Sequence, residues 1–247
     1  MPQNTLIVSN WKMNLDLVSA KSLIYKLKRI NLDANPYVKN IVCPQFLLIP
    51  YVSSIIGSSK ILLGAQDCHY EENGSFTGDS SISLIKKFGC KYVILGHSER
   101  RKNYFEENII VKKKILLAKK NKITPIVCVG EPAESRKNNS HFEYVLDQLN
   151  LCIPENISEI IIAYEPIWSI GTGKIPTNLN ILEMRDFCLK FLEKKKKIKE
   201  VSFLYGGSVN SQNLLEIIKK SFVDGALIGG ASIDYKEIIK ILKMNFN

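Results

Sequence analysis

The sequence predicts an α/β chain folded as a single closed (β/α)8 barrel over residues 1–247, and three observations predict it. Eight short apolar runs recur along the chain, nearly continuous rather than alternating, as parallel strands buried on both faces require. Stretches of helical period separate them. Dividing 247 residues among eight runs gives about 31 per unit, the length of a strand plus its crossover helix.

The runs, in order, are TLIVSN (5–10), KNIVCP (39–44), ILLGAQ (61–66), KYVILGH (91–97), ITPIVCVG (123–130), IIIAYE (160–165), VSFLYGG (201–207) and DGALIGG (224–230). After the first, Leu23, Leu27 and Ile30 share one helical face, with lysine and arginine on the other. A doubly wound sheet is the alternative, but it favours fewer strands, and the first turn reads SNWKMN instead of a G-x-G-x-x-G phosphate loop. No linker, repeat or low-complexity tract divides the chain.

With 45% hydrophobic and 23% charged residues, the composition is that of a soluble globular domain with a sizeable core. No apolar run approaches the ~18 residues of a membrane span, and the opening MPQNTLIVSNWK lacks the parts of a secretory leader, so a cytoplasmic protein without a membrane partner is expected. Six cysteines (43, 68, 90, 128, 152 and 188) show no C-x-x-C spacing and are read as reduced core residues. The net charge of +10 raises a nucleic-acid partner as a question. Most lysines fall in helix-like stretches such as VKKKILLAKKNK and FLEKKKKIKE without aromatic interleaving, so they read as solvated faces and no nucleic acid is expected.

In a barrel of this kind the carboxyl ends of all strands open on one face, where active sites are built. The polar punctuation sits at those ends: Asn10 and Lys12, Gln66, His97, Glu131, Glu165, Ser208, then Gly229 and Gly230. A carboxylate such as Glu165 more often pairs with a lysine or caps a helix. Here it leaves an apolar strand and enters PIWSIGTGK, whose Pro-Trp start and Gly-Thr-Gly end read as hinges of a lid. Apolar neighbours would desolvate it and raise its basicity. Of three histidines, only His97 ends a strand, and the SERR after it opens a helix whose positive end favours a neutral imidazole. No metal-ligand spacing is present. The glycines at 171–173, 206–207 and 229–230 follow three consecutive strands and can offer backbone N–H groups to a phosphate, with Lys12 as a point charge at the same mouth. The set describes proton transfer beside a carbonyl on a small phosphorylated molecule, without metal or organic cofactor.

Through NWKMN (10–14), ILGHSERR (94–101), PIVCVGE (125–131), AYEPIWSIGTGK (163–174), YGGSV (205–209) and DGALIGGAS (224–232), the chain resembles the triosephosphate isomerase family from end to end. The resemblance implies a TIM barrel that interconverts dihydroxyacetone phosphate and D-glyceraldehyde 3-phosphate through an enediol or enediolate, in glycolysis, gluconeogenesis and the pentose shunt. Glu165 is similar to the family's base, His97 to its neutral electrophile, Asn10 and Lys12 to its first-loop substrate contacts, and Glu99 to a supporting acid near the lysine. Gly171, Ser208, Gly229 and Gly230 match the positions that grip the phosphate. The resemblance further implies that lid closure drives Glu165 into an apolar pocket between Ile170 and Leu227. It implies a homodimer through the loop 68–81, with Thr77 near its tip. The familiar T-G-E of that loop is T-G-D here, so Asp79 has one methylene less with which to reach a partner such as Arg100. Ser80 and Asp67 are further departures.

Overall fold

The structure is a computed structural model that describes residues 4–30, 35–170 and 175–246. Its strands are β1 (Thr5–Asn10), β2 (Val38–Cys43), β3 (Leu62–Ala65), β4 (Tyr92–Leu95), β5 (Thr124–Val129), β6 (Glu159–Tyr164), β7 (Glu200–Tyr205) and β8 (Gly225–Ile228). Each pairs in parallel with its sequence neighbour, and β8 closes on β1, with Leu6 opposite Gly225 and Ser9 opposite Ile228. The eight apolar runs are therefore the eight staves of a closed barrel.

Alternation along each strand divides the apolar residues between two layers. Leu6, Val8, Ile41, Ile94, Ile126, Ile161, Leu204 and Leu227 fill the interior. Ile7, Val42, Val93, Val127, Ile162 and Phe203 face the outer helices. Burial on both sides explains why the runs read as continuous.

The helices are α1 (Leu17–Lys28), α2 (Ile49–Ile56), α3 (Ile82–Lys87), α4 (Ser98–Asn103), α5 (Asn108–Lys120), α6 (Ala133–Lys137), α7 (His141–Cys152), α8 (Asn178–Lys196), α9 (Leu214–Ser221) and α10 (Tyr235–Leu242). Capping boxes fix the starts of two of them: Asp16 with Ser19 opens α1, and Thr177 with Asn180 opens α8. At the other ends stand Lys26 and Lys28, Lys119 and Lys120, Lys194 to Lys196, and Lys219 and Lys220. Cations there complement the negative end of each helix dipole. Because crossover helices run antiparallel to their strands, much of the positive charge gathers at the barrel end away from the strand carboxyl termini. No helix among the described residues is long and apolar enough to cross a membrane, and the six cysteines are free and buried.

At the base of the segment 68–81, four charges from separate elements meet. Lys114 Nζ donates to Asp67 at 2.7 Å and also contacts Glu106, while Arg100 Nε lies 2.8 Å from Asp67 and 3.4 Å from Glu106. Burial and the nearby Glu106 push the Asp67 carboxyl up to about 6 against the pull of Lys114 and Arg100. Farther along, the His69 ring packs against Tyr70 and Phe76 at 4.2 and 4.0 Å, and Asp79 lies 3.7 Å from its Nε2.

Barrel closure leaves no room for a side chain at one seam position. Gly225 holds φ +148°, and a Cβ there would sit 1.9 Å from the carbonyl oxygen of Leu6 on the paired strand. Gly225→Ala is expected to cost ~3 kcal/mol or more, through strain and a forced opening of the β1–β8 seam. Urea unfolding monitored by circular dichroism reads this out, and a midpoint equal to that of the parent chain would refute it.

Candidate active site

The strand carboxyl ends bring the predicted polar residues to one mouth. Asn10 ends β1, and its Oδ1 accepts the backbone N–H of Lys12 at 3.0 Å. Lys12 holds a left-handed backbone at φ +52°, a conformation uncommon for a residue with a side chain away from a helix end. Gln66 restrains it, its Nε2 donating to the carbonyls of Lys12 at 2.8 Å and Cys43 at 2.9 Å. Lys12 Nζ then meets Glu99 Oε1 at 2.5 Å. The glutamate fixes where the ammonium sits.

His97 is the N-cap of α4, and its Nδ1 accepts the Glu99 N–H at 3.2 Å. With Nδ1 used as an acceptor, the proton of the neutral ring belongs on Nε2. That nitrogen lies 3.0 Å from Oε1 of Glu165. The other carboxylate oxygen of Glu165 accepts the Ser98 N–H at 2.9 Å.

Glu165 is only 2% exposed, and its position depends on glycines in two neighbouring loops. A Cβ at Gly130 would lie 1.8 Å from the Glu165 carbonyl oxygen, and one at Gly206 would lie 2.9 Å from its Cγ. Gly206, read from sequence as one of the phosphate-loop glycines, thus makes room for the carboxylate side chain. Ser208 Oγ donates to the Ser169 carbonyl at 2.8 Å, which ties the loop after β7 to the one after β6.

Asn10, Lys12, His97, Glu99 and Glu165 line a cavity of about 420 Å3 together with Ser208, Gly229 and Gly230, and Gly229 lies against the Lys12 side chain. Ile170 and Leu227 flank it. Gly171 lies outside the described residues. A larger cleft of about 550 Å3, between α5 and α7, contains none of these groups.

Burial, the strongest single influence on the Glu165 carboxyl, favours its protonated form, yet His97 and the Ser98 N–H together outweigh it and hold the pKa below the ordinary carboxylate value. For His97 burial again acts first and lowers the pKa, and the Glu165 carboxylate reverses that and raises it. Both directions differ from a reading of isolated residues, in which apolar surroundings raise the glutamate and a helix start lowers the histidine. Mutual contact between the two decides both.

Gln66 and Glu131 were visible as polar residues at strand ends, Ser98 was not, and what each of them holds was not legible. Ser98 acts through its backbone N–H, and Gln66 through its amide. Glu131, fully buried, accepts three donors on Oε1: Arg136 Nε, the Tyr164 hydroxyl and Trp168 Nε1, each at 3.0 Å. Its position at a strand end was visible, but its tie to Trp168 was not.

A family model described as triosephosphate isomerase matches residues 5–245. A triosephosphate isomerase of Amoebophilus asiaticus is 36% identical, the alignment covering 98% of this chain and 99% of that one. One of Saccharopolyspora erythraea is 40% identical, covering 99% and 97%. Among solved structures, a crystal structure of triosephosphate isomerase from Bartonella henselae matches with a TM-score of 0.84 at 32% identity, covering 96% of this chain and 97% of the other.

Removing the imidazole should release the Glu165 pKa upward. In His97→Asn the Glu165 carboxyl is expected to titrate at higher pH than in the parent, as followed by carbon NMR of labelled glutamate. An unchanged or lower value would contradict the account given for the pair. Since the folded pKa of Glu165 lies below its unfolded value, its contribution to stability is present above the ordinary carboxylate pKa and is lost as pH falls through the folded one.

Proposed function

The chain belongs to the triosephosphate isomerase family, and from that premise we propose which of its groups perform each part of the reaction. The activity is the interconversion of dihydroxyacetone phosphate and D-glyceraldehyde 3-phosphate by proton transfer through an enediol or enediolate. The contact that carries the assignment of roles is Glu165 Oε1 with His97 Nε2 at 3.0 Å, above a cavity that Lys12 shares with the glycine loops.

Glu165 is the base that moves a proton between the two carbons. His97, protonated on Nε2, donates to the carbonyl oxygens on which charge develops. Lys12 stabilises that charge, Asn10 holds the turn that presents it, and Glu99 fixes the ammonium through its 2.5 Å contact. Backbone groups of Gly171, Ser208, Gly229 and Gly230 take the phosphate.

The pKa directions give the cycle its logic. With Glu165 on Ser98 and His97, the carboxylate is stabilised and is a weak base. When it turns toward substrate it leaves those partners but stays buried between Ile170 and Leu227, so its proton affinity rises. His97 at the same moment loses the carboxylate that raised its own pKa, which favours the neutral imidazole an electrophile needs. The energy for the turn comes from phosphate held by a closing segment that begins at Pro166. This family is the type case for such tuning and closure.

A homodimer through the loop 68–81 is supported by exposed apolar side chains in the segments that follow β1, β2 and β4. Met13, Leu47, Tyr104 and Phe105 are 88%, 87%, 68% and 83% exposed. Asp79 approaches His69 of its own loop, and Arg100 is occupied by Asp67. The interface therefore draws more on apolar contact than on an Asp79–Arg100 pair. We place the enzyme in the cytoplasm, a reading that its six free thiols support.

In a coupled assay on either triose phosphate, Glu165→Gln is expected to lower kcat by roughly 10²–10⁴-fold with an unchanged melting temperature. Undiminished turnover would remove Glu165 from the role of base. Turnover of a longer phosphorylated sugar with neglect of trioses would point to a different barrel enzyme. Light scattering over a concentration series should give about twice the 28.0 kDa chain mass, and a monomer throughout would end the dimer proposal.

A further inference from the structure

Glu131 receives all three of its donors on one oxygen. Its Oε2 is buried and has no hydrogen-bond partner among the described residues. A carboxylate oxygen held in that state is costly, so the site calls for a donor. Arg136 does not serve, because its Nε is directed to Oε1 and its Nη2 to the Tyr164 hydroxyl at 2.9 Å.

His141 is a buried group left without a hydrogen-bond partner among the described residues, and it lies within electrostatic reach of Glu131. Between α6 and α7 the chain reverses at Asn139, which takes φ +56°, and the Ser140 N–H donates to the Ser135 carbonyl at 2.9 Å. That turn starts α7 at His141, within electrostatic reach of Arg136, which itself holds Glu131. Two ring contacts then fix the imidazole: His141 lies 4.3 Å from Phe142, and Phe142 lies 4.9 Å from Phe187 of α8. His141 is 9% exposed, and its Nδ1 is buried without a partner. Burial first, and then Arg136, lower its pKa, while Glu131 and Glu183 act in the opposite direction, so the ring is neutral at working pH. A neutral imidazole can carry its proton on Nδ1.

We propose that His141 is a positioning residue for the closing segment: its Nδ1–H donates across one buried water to Oε2 of Glu131, fixing the carboxylate whose other oxygen holds Trp168. The two orphaned atoms are complementary, and a single bridging water is the ordinary solution for such a pair. The consequence reaches the reaction through Trp168, which stands three residues after Glu165 at the start of the segment proposed to close over phosphate. His141 does not touch substrate. The inference rests on the isomerase reading of the preceding subsection.

The test compares His141→Ala with His141→Asn, whose side-chain amide nitrogen falls near the position of Nδ1. The alanine variant is expected to raise KM for triose phosphate about three- to tenfold, the worth of one buried hydrogen bond, while kcat changes less. The change in Trp168 emission on adding inorganic phosphate should shrink in the alanine variant and return in the asparagine variant, both at the parent melting temperature. A merely structural histidine would not show that rescue. If the alanine variant fails to fold, His141→Gln, which places its nitrogen near Nε2 instead, takes its place and should behave as the loss variant. Parental KM and emission in the loss variant, or equal impairment in the asparagine variant, would overturn the proposal. Absence of isomerase turnover in the parent chain would fault the functional reading instead, a result these comparisons among variants do not mimic.

Discussion

A carboxylate buried to 2% exposure at the end of β6, tolerated because an imidazole and a backbone N–H from the end of β4 meet it, is the interaction on which the site depends. An unpaired charge at that depth would be expelled or neutralised. The two strands are not adjacent, since β5 lies between them, so the contact exists only because the barrel turns all strand ends toward one axis. Gly130 at the end of the intervening strand and Gly206 beyond the next one yield the space. In this sense the fold and the chemistry share one geometric requirement.

That arrangement makes the resting state self-limiting. Ser98 and His97 stabilise the Glu165 anion and so weaken it as a base, and the same carboxylate raises the proton affinity of His97. In the mechanism we propose, both groups gain their working character when the contact is exchanged for substrate, and energy from the phosphate end of the ligand offsets the exchange. Lys12 stands apart from this cycle, left-handed in its backbone and fixed at both ends by Gln66 and Glu99.

Charge elsewhere follows from helix direction. Lysines gather at helix C-termini, where they answer the dipoles, so part of the excess positive charge lies on the face away from the site. Closer to the mouth, the contacts of Asp67, Glu106, Arg100 and Lys114 tie β3, α4 and α5 together under the segment 68–81. Asp67 makes this possible by accepting both cations. A residue that looked like a minor change in the sequence organises the base of that loop.

The sequence by itself determined the eight strands, their burial on both faces, the gathering of Asn10, Lys12, His97 and Glu165 at one end, and the family. Each is legible because it rests on local periodicity or on residues placed directly after a strand. The direction of the Glu165 and His97 pKa shifts, the space provided by Gly130 and Gly206, the anchoring of Trp168 by Glu131 and the commitment of Arg100 to Asp67 were settled only by tertiary structure. Those properties belong to distances between segments far apart in the chain, and the balance between burial and a neighbouring charge changes sign over a few ångströms.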